Sequence, residues 1–353
     1  MKGLVIKGPG RMGIEELEPL EPGADEVLVR AVAVGICGTD LEILNGQVSE
    51  QYVTYPVVPG HEWSGVVEAA GSAVAHVKPG DRVISEGIVA CGRCDSCRSG
   101  LTNLCLNYDQ LGFTRRGGAA EQVVVPASGI HRIPDSLSFE AAVLVEPAAT
   151  VLRGVMRTPF KPGMTAAVIG PGTLGLLTVQ VLQAFGAAEI ILIGPRDDQL
   201  EFGRTLGATR IVNNRTENTE ERVKGWTNGQ GVDLVVETSG SVDAVRSGFG
   251  LCKAGGHVVL EGVAGSDKQL ALPSDLIMLQ DLTVHGIFSY TTQSWSKVLQ
   301  LLGAGLLDFE SLVTHRFKLE EYEQAFESIR HKSGVTAKVV MVHGEANADE
   351  RVG

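Results

Sequence analysis

The sequence predicts two domains, one β-rich and one a doubly wound parallel α/β sheet, and three observations carry that prediction. The 353 residues are more than one ordinary core needs and suit two domains, each able to bury most of its apolar surface. From Lys2 to Val34, short β-rich runs (LVI, VLVRAVAV) alternate with turns such as Glu21-Pro22-Gly23, and the pattern continues through GVVEAAG, DRVI and EQVVVPA. From Thr165 onward strands alternate with helices. TAAVIG leads into a helix from Leu174 to Phe185 stopped by Gly186, EIILIG into a helix closed by Gly207, and VDLVVET and HVVLEGV follow. Such alternation implies parallel strands with helices on both faces.

Between these regions, Leu137 to Thr158 turns to Ala, Val and Leu at helical spacing and then meets Thr158-Pro159-Phe160-Lys161-Pro162-Gly163, a candidate domain junction. After about Ile287 a helix through WSKVLQLLGAG leads to the VTHRF and AKVVMV segments, which could return to the first domain. The closing GEANADERVG is polar and is expected to be mobile.

Composition narrows the function. Hydrophobic residues at 44% and charged residues at 20% describe a globular chain rather than a disordered one. A formal net charge of −12 argues against nucleic acid, whose binders gain affinity from clustered Lys and Arg. The N-terminal MKGLVIKGPGRMG lacks a leader pattern, and no stretch offers about 20 uninterrupted apolar residues, so a cytoplasmic protein with no membrane partner is expected. Six cysteines in a reducing compartment do not read as a disulfide framework.

Four of those cysteines carry the strongest signal. Cys91, Cys94, Cys97 and Cys105 form C-x-x-C-x-x-C-x7-C, which can wrap one tetrahedral Zn²⁺ with a closed, hence structural, shell. An iron–sulfur cluster uses similar spacing, but no second cluster or other electron-transfer feature accompanies it. A second set is dispersed: Cys37 in GICGTD, His61 and Glu62 in PGHEWSG, and Glu146 in VEPAAT. One thiolate, one imidazole and carboxylates can hold a catalytic Zn²⁺ with a position open to substrate. Singly, each has a plainer reading as a core cysteine, a hydrogen-bonded histidine or a helix-starting glutamate.

The third signal is Gly170-Pro171-Gly172-Thr173-Leu174-Gly175, placed after an apolar strand and opening a helix. In that setting GxGxxG is the dinucleotide fingerprint: its glycines let backbone approach a pyrophosphate lying at the helix N-terminus. An NAD enzyme places an acid about 20 residues further on, at the end of the second strand, to bond the ribose 2′-hydroxyl. Here that position is Gly194, followed by Pro195 and Arg196. The missing acid removes repulsion against a 2′-phosphate and Arg196 can pair with one, so NADP is expected over NAD. Asp197 and Asp198 oppose that choice, since a small loop shift could bring them toward the ribose.

In this order, CGTD, GHEWSG, the four-cysteine lobe, RRGGAAEQVVVP, VEPAA, GPGTLG, THRFKLEEYEQAFESI and AKVVMV resemble the zinc-dependent medium-chain dehydrogenases across nearly the whole chain. The resemblance implies a GroES-like catalytic domain at 1–155 and 288–353, with a zinc lobe at about 88–108, and an inserted Rossmann domain at 156–287. It implies that Cys37 and His61 bind a catalytic zinc, joined by Glu146 and approached by Glu62, with Asp40 supporting the histidine. Thr39 matches the hydroxyl residue that touches the substrate oxygen in relatives; its plainer reading is a turn-stabilising threonine. Where many relatives carry a relay histidine this chain has Glu42, which can accept the proton or simply be a solvated helix residue. Phe113, Phe288, Tyr290 and Trp295 are candidate pocket aromatics or packing; His76, His131 and Cys252 read as structural.

The resulting expectation is a dehydrogenase with two Zn²⁺ per subunit, acting on a small secondary alcohol, polyol or sugar hydroxyl with NADP, or with NAD, as a homodimer or homotetramer. An aldose 1-dehydrogenase is the alternative within enzymes of this type. A zinc-free quinone reductase on the same fold is disfavoured by Cys37, His61 and Glu146, and a non-catalytic NADP-binding protein is the remaining class.

Overall fold

The computed structural model describes residues 1–265 and 267–344; residues 345–353 of the polar tail lie outside the described residues. The chain divides into two compact units, one of Met1–Glu146, Thr291–Trp295 and Phe309–Gly353, the other of Pro147–Tyr290 and Ser296–Asp308. The divide at Glu146/Pro147 precedes the boundary read from sequence at 155/156, and Thr158–Gly163 lies within the second unit. The physical reason is that the helix Val145–Met156, once past Pro147, bonds into that unit: Arg153 Nη1 donates to the carbonyls of Phe288 and Ser289, 3.2 Å each.

In the first unit, strands run in the order Val313–Lys318, Lys338–Val342, Glu26–Ile36, Glu62–Ala70, Arg82–Ser85 and Ile130–Arg132, with Gln122–Pro126 also paired to Glu26–Ile36. Glu26–Ile36 is the hub, because EVLVRAVAVGI is β-branched and apolar enough to be buried along most of its length. Both chain ends build this sheet. Val339 pairs with Ile36 and Met341 with Val34, which sets Lys338 beside the start of the Cys37 turn. Leu4, Ile6, Trp63, Phe326 and Met341 are among the side chains filling the core.

The second unit is a six-stranded parallel sheet in the order Arg210–Asn213, Glu189–Gly194, Thr165–Ile169, Val232–Glu237, Cys252–Leu260, Thr283–Gly286. In chain order within the unit this is 3-2-1-4-5-6, the doubly wound arrangement, whose order reverses at Thr165–Ile169. The reversal puts the glycine-rich turn after Ile169 at the carboxyl end of the switch-point strand, where such sheets take their ligands. Strand and helix assignments follow the sequence reading closely, with the helices Thr173–Ala184 and Asp197–Thr205 after the strands Thr165–Ile169 and Glu189–Gly194.

Three charged side chains of this unit, Arg153, Glu237 and Glu261, are buried. Glu237 accepts from the Ser239 and Gly240 amides at 2.7 and 3.1 Å, whereas neither carboxylate oxygen of Glu261 has a hydrogen-bond partner. Burial first, and then the neighbouring Glu237, hold the Glu261 pKa well above its ordinary 4.5, with Arg153 opposing. Over that window the native state keeps a proton that the unfolded state has lost, so stability falls as pH rises from 4.5 toward the native pKa. Glu261→Gln removes the titration. Thermal unfolding from pH 4 to 9 should show the unmodified protein losing stability relative to this variant as pH rises, by about 1–3 kcal/mol, the cost of a buried unsatisfied group. Parallel curves would mean that Glu261 is not raised.

Candidate active site and cofactor turn

The four-cysteine lobe is held by short turns rather than by a core. Gly92 and Gly100 take positive φ, 69° and 76°, and bracket a single helical turn at Asp95–Arg98. The sulfur atoms of Cys91, Cys94, Cys97 and Cys105 lie within 4.8 Å of one another, and all four thiols are free. Backbone hydrogen bonds from Arg93 and Cys94 pull the Cys91 thiol down to about 6, whereas burial and the adjacent thiols push Cys97 up to about 12. The donor set and its spacing fit one tetrahedral zinc.

The structure also brings together Cys37, His61 and Glu62, whose ligand atoms lie within 4.8 Å of one another. Cys37 caps the helix Gly38–Leu44: its Sγ accepts the Thr39 amide at 3.3 Å, and Asp40 Oδ2 accepts the Cys37 amide at 2.9 Å. This reciprocal capping box fixes the cysteine and leaves Sγ 3.3 Å from His61 Nε2. The other ring nitrogen, Nδ1, is buried without a hydrogen-bond partner and faces Asp40 Oδ1, equally unpartnered, at 3.8 Å. A carboxylate behind a histidine whose far nitrogen meets a thiol is the usual outer shell of a zinc ligand. Burial raises the Cys37 thiol; it pulls His61 down, but Cys37 and Asp40 outweigh it and leave the imidazole well above its ordinary range. A thiol and an imidazole nitrogen 3.3 Å apart, buried together with a carboxylate, are a donor set that fits zinc.

Glu146, at the start of its helix, is not within that 4.8 Å set, although His61 and Glu62 act on it electrostatically. Burial, before its charged neighbours, raises its pKa to about 7. Thr39 and Glu42 sit one turn apart on the helix Gly38–Leu44, on the same side. Glu42 is half-buried, with its pKa raised by that burial. Phe113 packs against His61, ring centroids 5.3 Å apart, whereas Tyr290 and Trp295, candidates for a pocket, are core residues and Phe288 is exposed. His76 bonds the Ala127 carbonyl, His131 bonds Glu86, and Cys252 bonds the His257 carbonyl, in keeping with structural roles.

Lys338 is the residue that the sequence reading missed. It is buried, pairs with Glu62 and donates to the Ile36 carbonyl at 3.4 Å. Its only sequence signal is a lysine inside the apolar run AKVVMV.

The second unit supplies the dinucleotide turn. The Gly172 Cβ position opens onto space with nothing within 4 Å, while a Cβ at Gly175 would lie 1.8 Å from the Gly170 carbonyl oxygen. The middle glycine therefore leaves room for a pyrophosphate and the last one lets helix and strand touch. Thr173 and Leu174 open the helix, and its N-cap, Gly172, makes no side-chain cap hydrogen bond. A helix N-terminus placed there presents the end of its dipole that favours an anion. At the next strand end a Cβ on Gly194 would meet Pro171 Cδ at 2.4 Å. Arg196 caps the following helix and forms a two-point pair with Asp198.

Residues 23–135 match the family described as the alcohol dehydrogenase GroES-like domain, and residues 173–304 match zinc-binding dehydrogenases. The chain is 36% identical over 329 residues to the sorbitol dehydrogenase of Bacillus subtilis (strain 168), covering 93% of each. It is 35% identical to the L-threonine 3-dehydrogenase of the same strain, over 97% of this chain and 98% of the other. A solved structure from Sinorhizobium meliloti 1021, described as a zinc-binding dehydrogenase bound to NADP, superposes with a TM-score of 0.90 at 33% identity, covering 97% of this chain and 98% of that one.

Removing the lysine of the buried pair exposes its role. Lys338→Met leaves the Glu62 carboxylate buried and unpaired, which should cost about 3–5 kcal/mol in denaturant unfolding. The double variant Lys338→Met/Glu62→Gln should recover most of that loss. A cost unchanged in the double variant would mean that Lys338 acts through packing alone.

Proposed function

The chain belongs to the zinc-type medium-chain alcohol dehydrogenase family, and from that premise we propose that it moves hydride reversibly between a secondary alcohol, polyol or sugar hydroxyl and a nicotinamide dinucleotide, with NADP favoured over NAD. The observation that carries this reading is the Cys37, His61 and Glu62 set, three ligand atoms gathered in one place with Asp40 behind the histidine. Three protein ligands leave a tetrahedral position open, which separates a catalytic zinc from the closed four-cysteine shell. A zinc held by these residues would supply Lewis-acid polarisation of a hydroxyl, and a bound nicotinamide would supply the hydride acceptor.

The chain's own residues supply the rest. Asp40 Oδ1 lies 3.8 Å behind His61 Nδ1, where its charge favours a ring that presents Nε2 to Cys37 Sγ. Lys338 offsets the Glu62 charge and fixes where that carboxylate rests. Phe113 covers one side of His61 with apolar surface and excludes water from it. The Thr39 hydroxyl receives the substrate proton, and Glu42 carries it toward solvent from the next turn. Burial raises the Glu42 pKa, the direction that favours a carboxyl able to take up a proton. In the second unit, Gly170, Gly172 and Gly175 shape the pyrophosphate seat, and Gly194 and Arg196 meet the adenosine 2′ position. These assignments rest on the match of each residue to the family motif and on the local geometry of each unit.

Elemental analysis of the purified protein should give two zinc ions per chain. Cys37→Ser should then lose one metal and turnover while keeping its unfolding midpoint, whereas Cys94→Ser should lose the other metal and chiefly stability. One metal or none in the unmodified protein would overturn the assignment.

The cofactor reading is checked separately. Steady-state kinetics should give a higher kcat/KM with NADP than with NAD. Arg196→Ala should weaken NADP binding by about 1.5–3 kcal/mol, the scale of a hydrogen bond to a charged group, with much less effect on NAD. A higher kcat/KM with NAD would refute the preference.

A further inference from the structure

Arg196 is not waiting empty-handed for a phosphate. Its Nε donates to Asp198 Oδ1 at 3.1 Å and its Nη2 to Asp198 Oδ2 at 2.5 Å, the fork geometry by which a guanidinium also grips a phosphate. Asp198 is held in place from its other side, because Oδ1 also accepts the Gln199 amide at 2.8 Å in the first turn of the helix Asp197–Thr205. Acids are favoured at that end of a helix. The neighbouring Asp197 is committed elsewhere: its Oδ1 accepts from Asn213 Nδ2 at 2.7 Å, and Asn213 is the strand partner of Gly194. Two adjacent acids thus have different partners, and one of them occupies the donors that the proposed 2′-phosphate requires.

We propose that Asp198 sets the strength of the NADP preference by competing with the 2′-phosphate for Arg196. The inference rests on the NADP reading above and adds the residue that tunes it. A 2′-phosphate must displace the carboxylate from the guanidinium, whereas a nucleotide with a free 2′-hydroxyl binds without breaking the pair. Asp198 is a positioning residue that acts through Arg196. Both partners are partly exposed, with side chains 31% and 46% accessible, so the competition is modest and the phosphate can win it.

The test uses 2′,5′-ADP and 5′-AMP as probes, titrated by calorimetry into the full-length protein without turnover. Asp198→Asn keeps the side-chain shape and should tighten 2′,5′-ADP about two- to fivefold, the span of an exposed ion pair, while 5′-AMP changes less than twofold. Asp197→Asn removes an equal charge one residue away and should give a smaller gain, because Asp197 does not hold Arg196. In an Arg196→Ala background, Asp198→Asn should give no gain. Equal gains from both asparagine variants, a gain that survives without Arg196, or no gain at all would overturn the proposal. The 5′-AMP affinity reports whether each variant is folded; if Asp198→Asn lost it, Asp198→Ser would be read by the same criteria. An unmodified protein that binds 5′-AMP as tightly as 2′,5′-ADP would overturn the NADP reading itself. A clear preference for 2′,5′-ADP that Asp198→Asn leaves unchanged overturns only the role of Asp198.

Discussion

Burial of unlike charges beside one another is the constraint on which the first unit depends. Cys37, the adjacent His61 and Glu62, and Lys338 come from three separate stretches of chain, and each would be expensive to bury alone. Together they offset one another: Lys338 answers Glu62, and His61 answers Cys37 with Asp40 behind it. The sheet makes this possible. Pairing of Lys338–Val342 with Ala33–Ile36 delivers the lysine to the strand that ends at Cys37, and pairing of Glu62–Ala70 with the same strand delivers Glu62 opposite Gly35. A candidate metal site assembled in this way has its donors positioned by the backbone ladder.

What was legible in the sequence follows from how far apart the partners lie along the chain. The cysteine lobe and the glycine turn are contiguous, so residue type and spacing alone define the chemistry, and the alternation beyond Thr165 defines the parallel sheet. Lys338 was not legible because its partners Ile36 and Glu62 are 302 and 276 residues away, and a lysine in an apolar run carries no mark of a buried partner. The domain boundary shifted for a related reason. Helical spacing is continuous through Val145–Met156, and only tertiary bonds such as those of Arg153 assign its latter part to the second unit. Tyr290 and Trp295 illustrate the converse: an aromatic near a loop reads as a pocket wall or as core, and burial decides.

The strand end at Gly194 shows how an absence in a sequence can have a steric cause. Read by residue type, the glycine is a missing acid and hence a sign of cofactor choice. In the structure it is also a contact, because Pro171, from inside the glycine motif, occupies the space that a Cβ would need. Gln199 tightens the same corner by donating to the Pro171 carbonyl at 2.7 Å. Neither feature is visible from either segment alone, since the two lie on different turns that the parallel pairing of Thr165–Ile169 with Glu189–Gly194 brings level.

That contact limits which side chains the strand end can carry. A carboxylate at 194 is not reached by one substitution, because the side chain would collide with the proline ring before it could bond a ribose hydroxyl. The partly exposed charged side chains at this corner lie instead at the start of the next helix, on Arg196 and Asp198. There the arginine and the two acids are already paired, one acid with the arginine and the other with Asn213. Under the proposed NADP preference, choosing between a phosphate and a hydroxyl there would mean exchanging partners among exposed groups. Exchange of that kind costs little in either direction.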